Sequence, residues 1–328
     1  MVSKVDSLRL CLGLACAIGA AAAGAAEAWK APRTSWGDPD LHGIYSNDDE
    51  TGTPMERPKE YEGLTLADVT PEKLKEIVAK RQEAFDALVN GKRWEHSISP
   101  PPHLIFDTFE RKNARPWLIT DPADGKIPAL TAEAQARPRA AGGVSTNQNP
   151  NGPFNSYLDM GLYDRCITRG IPASMMPAGY GSRYEMIHET RVIPLDKRPH
   201  VASDMHQYLG DARGHFEGDT LVVETTNFRA ESAPQRASAA VKMTERFKRT
   251  AAGAVEWSVT FDDASTWTRP WTYSMPLKQV DASQQIYEYA CHEGNLAMRN
   301  ILSGARAADA AVAAGKPAAT PSAPTHDE

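Results

Sequence analysis

The sequence predicts a mainly β protein with peripheral helices, an α+β chain whose C-terminal half is an antiparallel meander forming a barrel or half-barrel. Three observations predict it. From about residue 184, short runs alternate apolar and polar residues with a period of two, as strands do when one face is buried. Turn signals such as Glu217-Gly218 separate these runs, so sequential runs pair as a meander. Helical spacing of apolar residues is confined to a few stretches outside that region.

Residues 1–28 read as a signal peptide. Lys4 and Arg9 supply positive charge, "LCLGLACAIGAAAAG" is an apolar stretch too short to span a bilayer, and "AEA" ending at Ala28 is a small-x-small cleavage pattern. The mature chain then begins near Trp29, in the periplasm or outside the cell.

Residues 29–181 form an irregular N-terminal region. Its first part, to about residue 66, is rich in Pro, Gly, Asp and Glu without a sustained period and reads as an arm wrapped on the body. A helix follows over about 71–89. Thr70 can cap it, Pro71 suits its first turn, and Leu74, Ile77, Val78, Phe85 and Leu88 recur at helical spacing. "RPWLITDPADGKIPALT" carries apolar residues on both sides of an Asp-Gly turn, and "TAEAQAR" reads as a short capped helix. From 137 to 181 Pro, Gly and Asn dominate, and long irregular stretches often line a functional mouth.

Residues 182–302 are the barrel-like region. In "VKMTERFKR", Val241, Met243, Glu245, Phe247 and Arg249 share a face. In "VEWSVTF", Val255, Trp257, Val259 and Phe261 do so, and in "WTRPWTYSMPL", Trp267, Arg269, Trp271, Tyr273, Met275 and Leu277. "QIYEYACHE" completes the meander. Residues 303–328 end a terminal helix and continue into an Ala/Pro-rich disordered tail.

The 328 residues carry a formal net charge of -6, which leaves no electrostatic footprint for nucleic acid or for an anionic membrane. No membrane contact beyond export is expected. Of four cysteines, Cys11 and Cys16 leave with the signal peptide, and Cys166 and Cys291 remain as a disulfide pair or as two separate buried thiols. The chain has no G-x-S-x-G, P-loop, dinucleotide fingerprint or HExxH, so any catalysis is acid/base work without a cofactor.

Candidate chemistry comes from ionisable residues on apolar strand faces. Glu245 lies between Met243 and Phe247, Arg269 between Trp267 and Trp271, and His188 between Met186 and Thr190. Buried charges need partners, water or a ligand. Either Glu245 and Arg269 pair across the meander as a structural bridge, or the three line a pocket for a small organic, apolar or aromatic molecule. In that pocket His188 is base or acid, Glu245 its partner and Arg269 the holder of negative charge, with Tyr184, Met186, Trp257, Trp267, Trp271 and Tyr273 as ligand-binding walls. A carrier without turnover, or an envelope protein using its N-terminal arm as a contact surface, would use the same sequence differently. His200, His206 and His215 alternate with Asp204, Asp211 and Asp219, but the spacing matches no zinc motif, and no metal is expected.

Together "WGDPDLHGIY", "RCITRG", "YEMIHETRVIPLD", "EGDTLVVETTNF", "TWTRPWT" and "YEYACHEGN" resemble an uncharacterised family of exported bacterial proteins, over about Trp36 to Asn300. The resemblance implies a shared fold and no particular reaction. The C-terminal part is similar in pattern to calycin-like ligand-binding barrels, which is an analogy of fold and not of function.

Overall fold

In chain order the elements are β1 (Tyr45–Ser46), α1 (Pro71–Asn90), β2 (Ile119–Asp121), α2 (Ala132–Ala136), β3 (Glu185–Ile187), β4 (Asp211–Glu217), β5 (Thr220–Thr226), β6 (Lys242–Ala251), β7 (Ala254–Asp262), β8 (Trp271–Gln279), β9 (Ile286–Glu288) and α3 (Ala297–Ala313). The structure is a computed structural model that describes residues 29–90, 112–137, 152–177, 185–187, 191–281, 283, 286–288 and 290–316. From Ala31 onward these belong to one compact unit; residues 1–30 form another, of which Trp29 and Lys30 are described.

A seven-stranded antiparallel sheet carries the fold, in the order β1-β8-β7-β6-β5-β4, with β2 also paired to β8. The meander from β4 to β8 is therefore as the alternation predicts. Its closure is not: the sheet is open, with β4 at one end and β1 and β2 at the other. Two short strands from the N-terminal region occupy the edge that a closed barrel would have paired with β4. "QIYEYACHE" is a second departure, because β9 leaves the meander and pairs with β3 in a separate parallel pair, Met186 opposite Tyr287.

The period-two reading holds across the central strands. Met243, Trp257, Val259, Phe261, Trp271, Tyr273 and Met275 are fully buried on the inner face, and Glu245 with them. Their outer neighbours carry polar and charged groups: Lys242 pairs with Glu224, Arg246 with Glu217 and Glu256 with Arg115. Burying a large apolar side chain contributes about 1.5–3 kcal/mol, so this face is the main source of stability. Ile171, Phe228, Leu118 and Ile119 add to the same core.

The N-terminal arm is part of the body. Tyr45 pairs with Gln279, Val280 N donates to Ile44 O at 2.9 Å, Arg249 Nη1 donates to Asp40 O at 3.0 Å, and Asn47 Nδ2 donates to Met175 O at 2.6 Å. Glu50 is fully buried. Burial pushes its carboxyl up in pKa, more than the hydrogen bonds from Ala114 N and Thr53 Oγ1 pull it down. The helices follow their sequence signals: Thr70 Oγ1 accepts from Lys73 N at 3.2 Å at the start of α1, and Thr131 Oγ1 from Ala134 N at 3.1 Å at the start of α2.

Cys166 and Cys291 form a disulfide across 125 residues of sequence, with Cα atoms 5.6 Å apart. It ties the 161–170 loop to the segment leading into α3. Asn295 Nδ2 supports the same junction by donating to Asp164 O at 2.9 Å. No described helix is long and apolar enough to cross a membrane.

Candidate functional site

Glu245 sits at the middle of β6, opposite Val223 on β5 and Val259 on β7; Val259 in turn faces Tyr273 on β8, and Tyr273 faces Ile119 on β2. One cross-strand row thus carries a carboxylate and a phenol on the inner face, with a valine between them. Both side chains are fully buried. A carboxylate in such a place requires donors.

Two donors meet it. Arg191 Nη1 donates to Glu245 Oε2 at 2.5 Å, and Trp257 Nε1 donates to Oε1 at 3.3 Å. Arg191 is mostly buried, with 15% of its side chain exposed, so the pair reaches solvent only at the guanidinium end. Its segment is held against the sheet by Gly214 N, which donates to Pro194 O at 2.9 Å. Gly214 is required there: a Cβ at that position would lie 2.6 Å from Leu195 Cδ2 and 2.8 Å from Ile193 Cγ2.

The Tyr273 hydroxyl has no hydrogen-bond partner among the described residues. Burial raises its pKa well above the ordinary tyrosine value, and the nearby Glu245 charge raises it further. At neutral pH it is a protonated, unused donor. Its ring meets Trp257 edge-on at 5.7 Å, and Phe261 lies 4.7 Å from Trp271, which meets Trp267 at 5.6 Å. Trp257, Trp267, Trp271 and Tyr273, expected as walls of a lumen, are buried and stacked on one another as core.

Arg269 does not join this group. It lies in the bend between the Leu130–Trp267 bridge and β8, half exposed, and its Nη2 donates to Asp121 Oδ1 at 2.9 Å. The bend before Pro270 breaks the period-two count that runs correctly from Trp271 onward. The bridge expected between Glu245 and Arg269 is therefore corrected to Glu245–Arg191. His188 and Tyr184 lie outside the described residues, and for Met186 only the strand position is described. Arg191 has the opposite strand parity to His188, and reading 182–196 as one regular strand hides it; the described strand ends at Ile187, and 191–200 is irregular.

The loop histidines each take a separate partner. His200 Nδ1 donates to Asp211 Oδ2 at 2.8 Å, His206 Nδ1 to Phe228 O at 2.9 Å, and His215 Nε2 lies 3.2 Å from Glu217 Oε1. Burial raises the pKa of Asp211, but the hydrogen bonds from His200, Val201 N and Arg213 outweigh it and leave the carboxyl lowered. No group of three or more His, Cys, Asp or Glu able to hold a metal occurs among the described residues.

The geometry is thus a buried carboxylate–guanidinium pair beside an unused phenol, in an aromatic core with one opening at Arg191. No protein-family model matches the chain, and no curated protein or solved structure matches it either.

Proposed function

We propose that the chain is an exported protein that binds a small, mainly apolar organic molecule against the inner face of its sheet, read as a half-barrel cradle, with Glu245, Arg191 and Tyr273 as the polar centre. One observation carries this: the fully buried Tyr273 hydroxyl has no partner among the described residues. Leaving such a group unsatisfied costs about 1–3 kcal/mol, which a ligand acceptor placed against it would recover. The aromatic surround suits a ligand whose body is apolar and whose polar group is small. An oxidising compartment is where the Cys166–Cys291 disulfide persists.

Acid/base turnover is the second reading, favoured by a carboxylate and a phenol held protonated on one row of the sheet. In it Glu245 moves the proton, His188 is its partner, and Arg191 takes the charge-holding role expected of Arg269.

The test is native mass spectrometry of protein incubated with small-molecule extract, wild type against Tyr273→Phe. Wild type retains a ligand that the folded variant loses. Equal retention by both overturns the proposal. Depletion of the retained compound over time marks an enzyme, and its recovery unchanged marks a carrier.

A further inference from the structure

A second buried cation lies far along the chain from that centre. Arg57 is 8% exposed, yet no carboxylate among the described residues lies within ion-pair distance of it. Its one hydrogen bond runs from Nη1 to the carbonyl of Leu64, at 2.5 Å, and its Nε is buried without a partner. A guanidinium taken from water without a counter-charge is strongly disfavoured.

Trp117 stands beside it, fully buried, and its Nε1–H is also unpartnered among the described residues. Gly125 brings the two together. Its carbonyl accepts from Arg57 N at 2.8 Å, and its φ of +66° is a conformation that favours glycine. A Cβ there would lie 2.7 Å from Trp117 Nε1 and 2.8 Å from Arg57 Cβ, so both residues flank the same glycine. The neighbouring strand contacts fix the arrangement: Leu118 N donates to Pro54 O at 3.0 Å and Ile119 N to Met55 O at 3.0 Å.

Two buried N–H donors are therefore unused in one place, one of them on a cation with no anion. A water molecule would satisfy the donors but leave the charge uncompensated. We propose that Arg57 and Trp117 form a binding site for a small oxyanion, a carboxylate or a phosphate-like group, taken between the guanidinium and the indole N–H. The site is independent of the Glu245 centre. Arg57 supplies charge and a hydrogen bond, Trp117 a second hydrogen bond, and Gly125 the close approach of the two.

The experiment uses the disulfide-bonded full chain. Isothermal titration and thermal unfolding are followed against acetate, phosphate and sulfate, each compared with sodium chloride at matched ionic strength. The expected result is saturable, one-to-one binding of at least one oxyanion with a rise in unfolding temperature above the chloride reference; acetate against phosphate tells which class is preferred. Trp117→Phe weakens binding about tenfold, as expected for one hydrogen bond to a charged group, and Arg57→Met abolishes it. Should Arg57→Met fail to fold, Trp117→Phe decides alone. No binding beyond chloride, or unchanged binding in folded Trp117→Phe, overturns the site.

Discussion

Arg191 and Glu245 form an ion pair in which the carboxylate is fully buried and the guanidinium keeps a narrow contact with water. Truncating one partner is more damaging than removing both, because the survivor is left charged in a low-dielectric setting. Arg191→Met should destabilise the protein by about 3–5 kcal/mol, and Arg191→Met combined with Glu245→Leu should recover most of that loss. Urea unfolding of the two singles and the double checks this; a double variant no more stable than Arg191→Met refutes it.

Tyr273→Phe should behave in the opposite way. The lost hydroxyl has no partner among the described residues, so the free protein should keep its stability or gain about 1 kcal/mol. A loss above that range in the ligand-free protein would mean that the hydroxyl is already satisfied.

Acid should weaken the fold through Asp263. Burial raises its pKa, but hydrogen bonds from Thr266 Oγ1, Ser238 N and Ser265 outweigh this and carry it down to about 2 from an ordinary 3.8. A depressed carboxyl contributes stability that is fully present above the unfolded value and is lost as pH falls through the folded one. Allowing for solvent screening, Asp263→Asn should cost about 1–2 kcal/mol at pH 7 and almost nothing near pH 2. Equal losses at both pH values, in matched denaturant titrations, contradict the assignment.

Replacing Cys166 and Cys291 together by Ala should lower stability by about 2–5 kcal/mol, because the bond closes a long loop. Calorimetry of the variant, and of wild type with reductant, should give matching shifts.

Deleting residues 29–58 should unfold the body rather than free a contact arm. The deletion removes β1 from the sheet edge, along with buried Glu50 and Arg57. Far-ultraviolet circular dichroism that keeps the wild-type β signal and its cooperative melt would show the arm to be dispensable.

Strand parity is legible in the sequence because the two faces of β6, β7 and β8 differ so sharply in polarity: Met243, Val259 and Phe261 alternate with Thr244, Ser258 and Thr260. That contrast locates Glu245 and Tyr273 on the buried side with no structural information. Parity fails where the period is interrupted. Arg269 stands in a bend ahead of Pro270, and Arg191 follows an irregular run, so neither orientation can be counted from a neighbouring strand. Closure is also hidden, since nothing in "GIYSNDD" or "WLITD" announces that these short pieces will occupy the edge at β8. Non-local pairing of this kind leaves no periodic mark.

That edge has a consequence for the order of events in making the protein. Tyr45 finds its partner only in Gln279, and Ile119 only in Tyr273, so the earliest-synthesised strands stay without their place until nearly the whole polypeptide has emerged. Closing such distant partners is slow, because chain entropy is lost before contacts reward it. The sheet must therefore be assembled late and as a whole, its first-made pieces being among the last to dock.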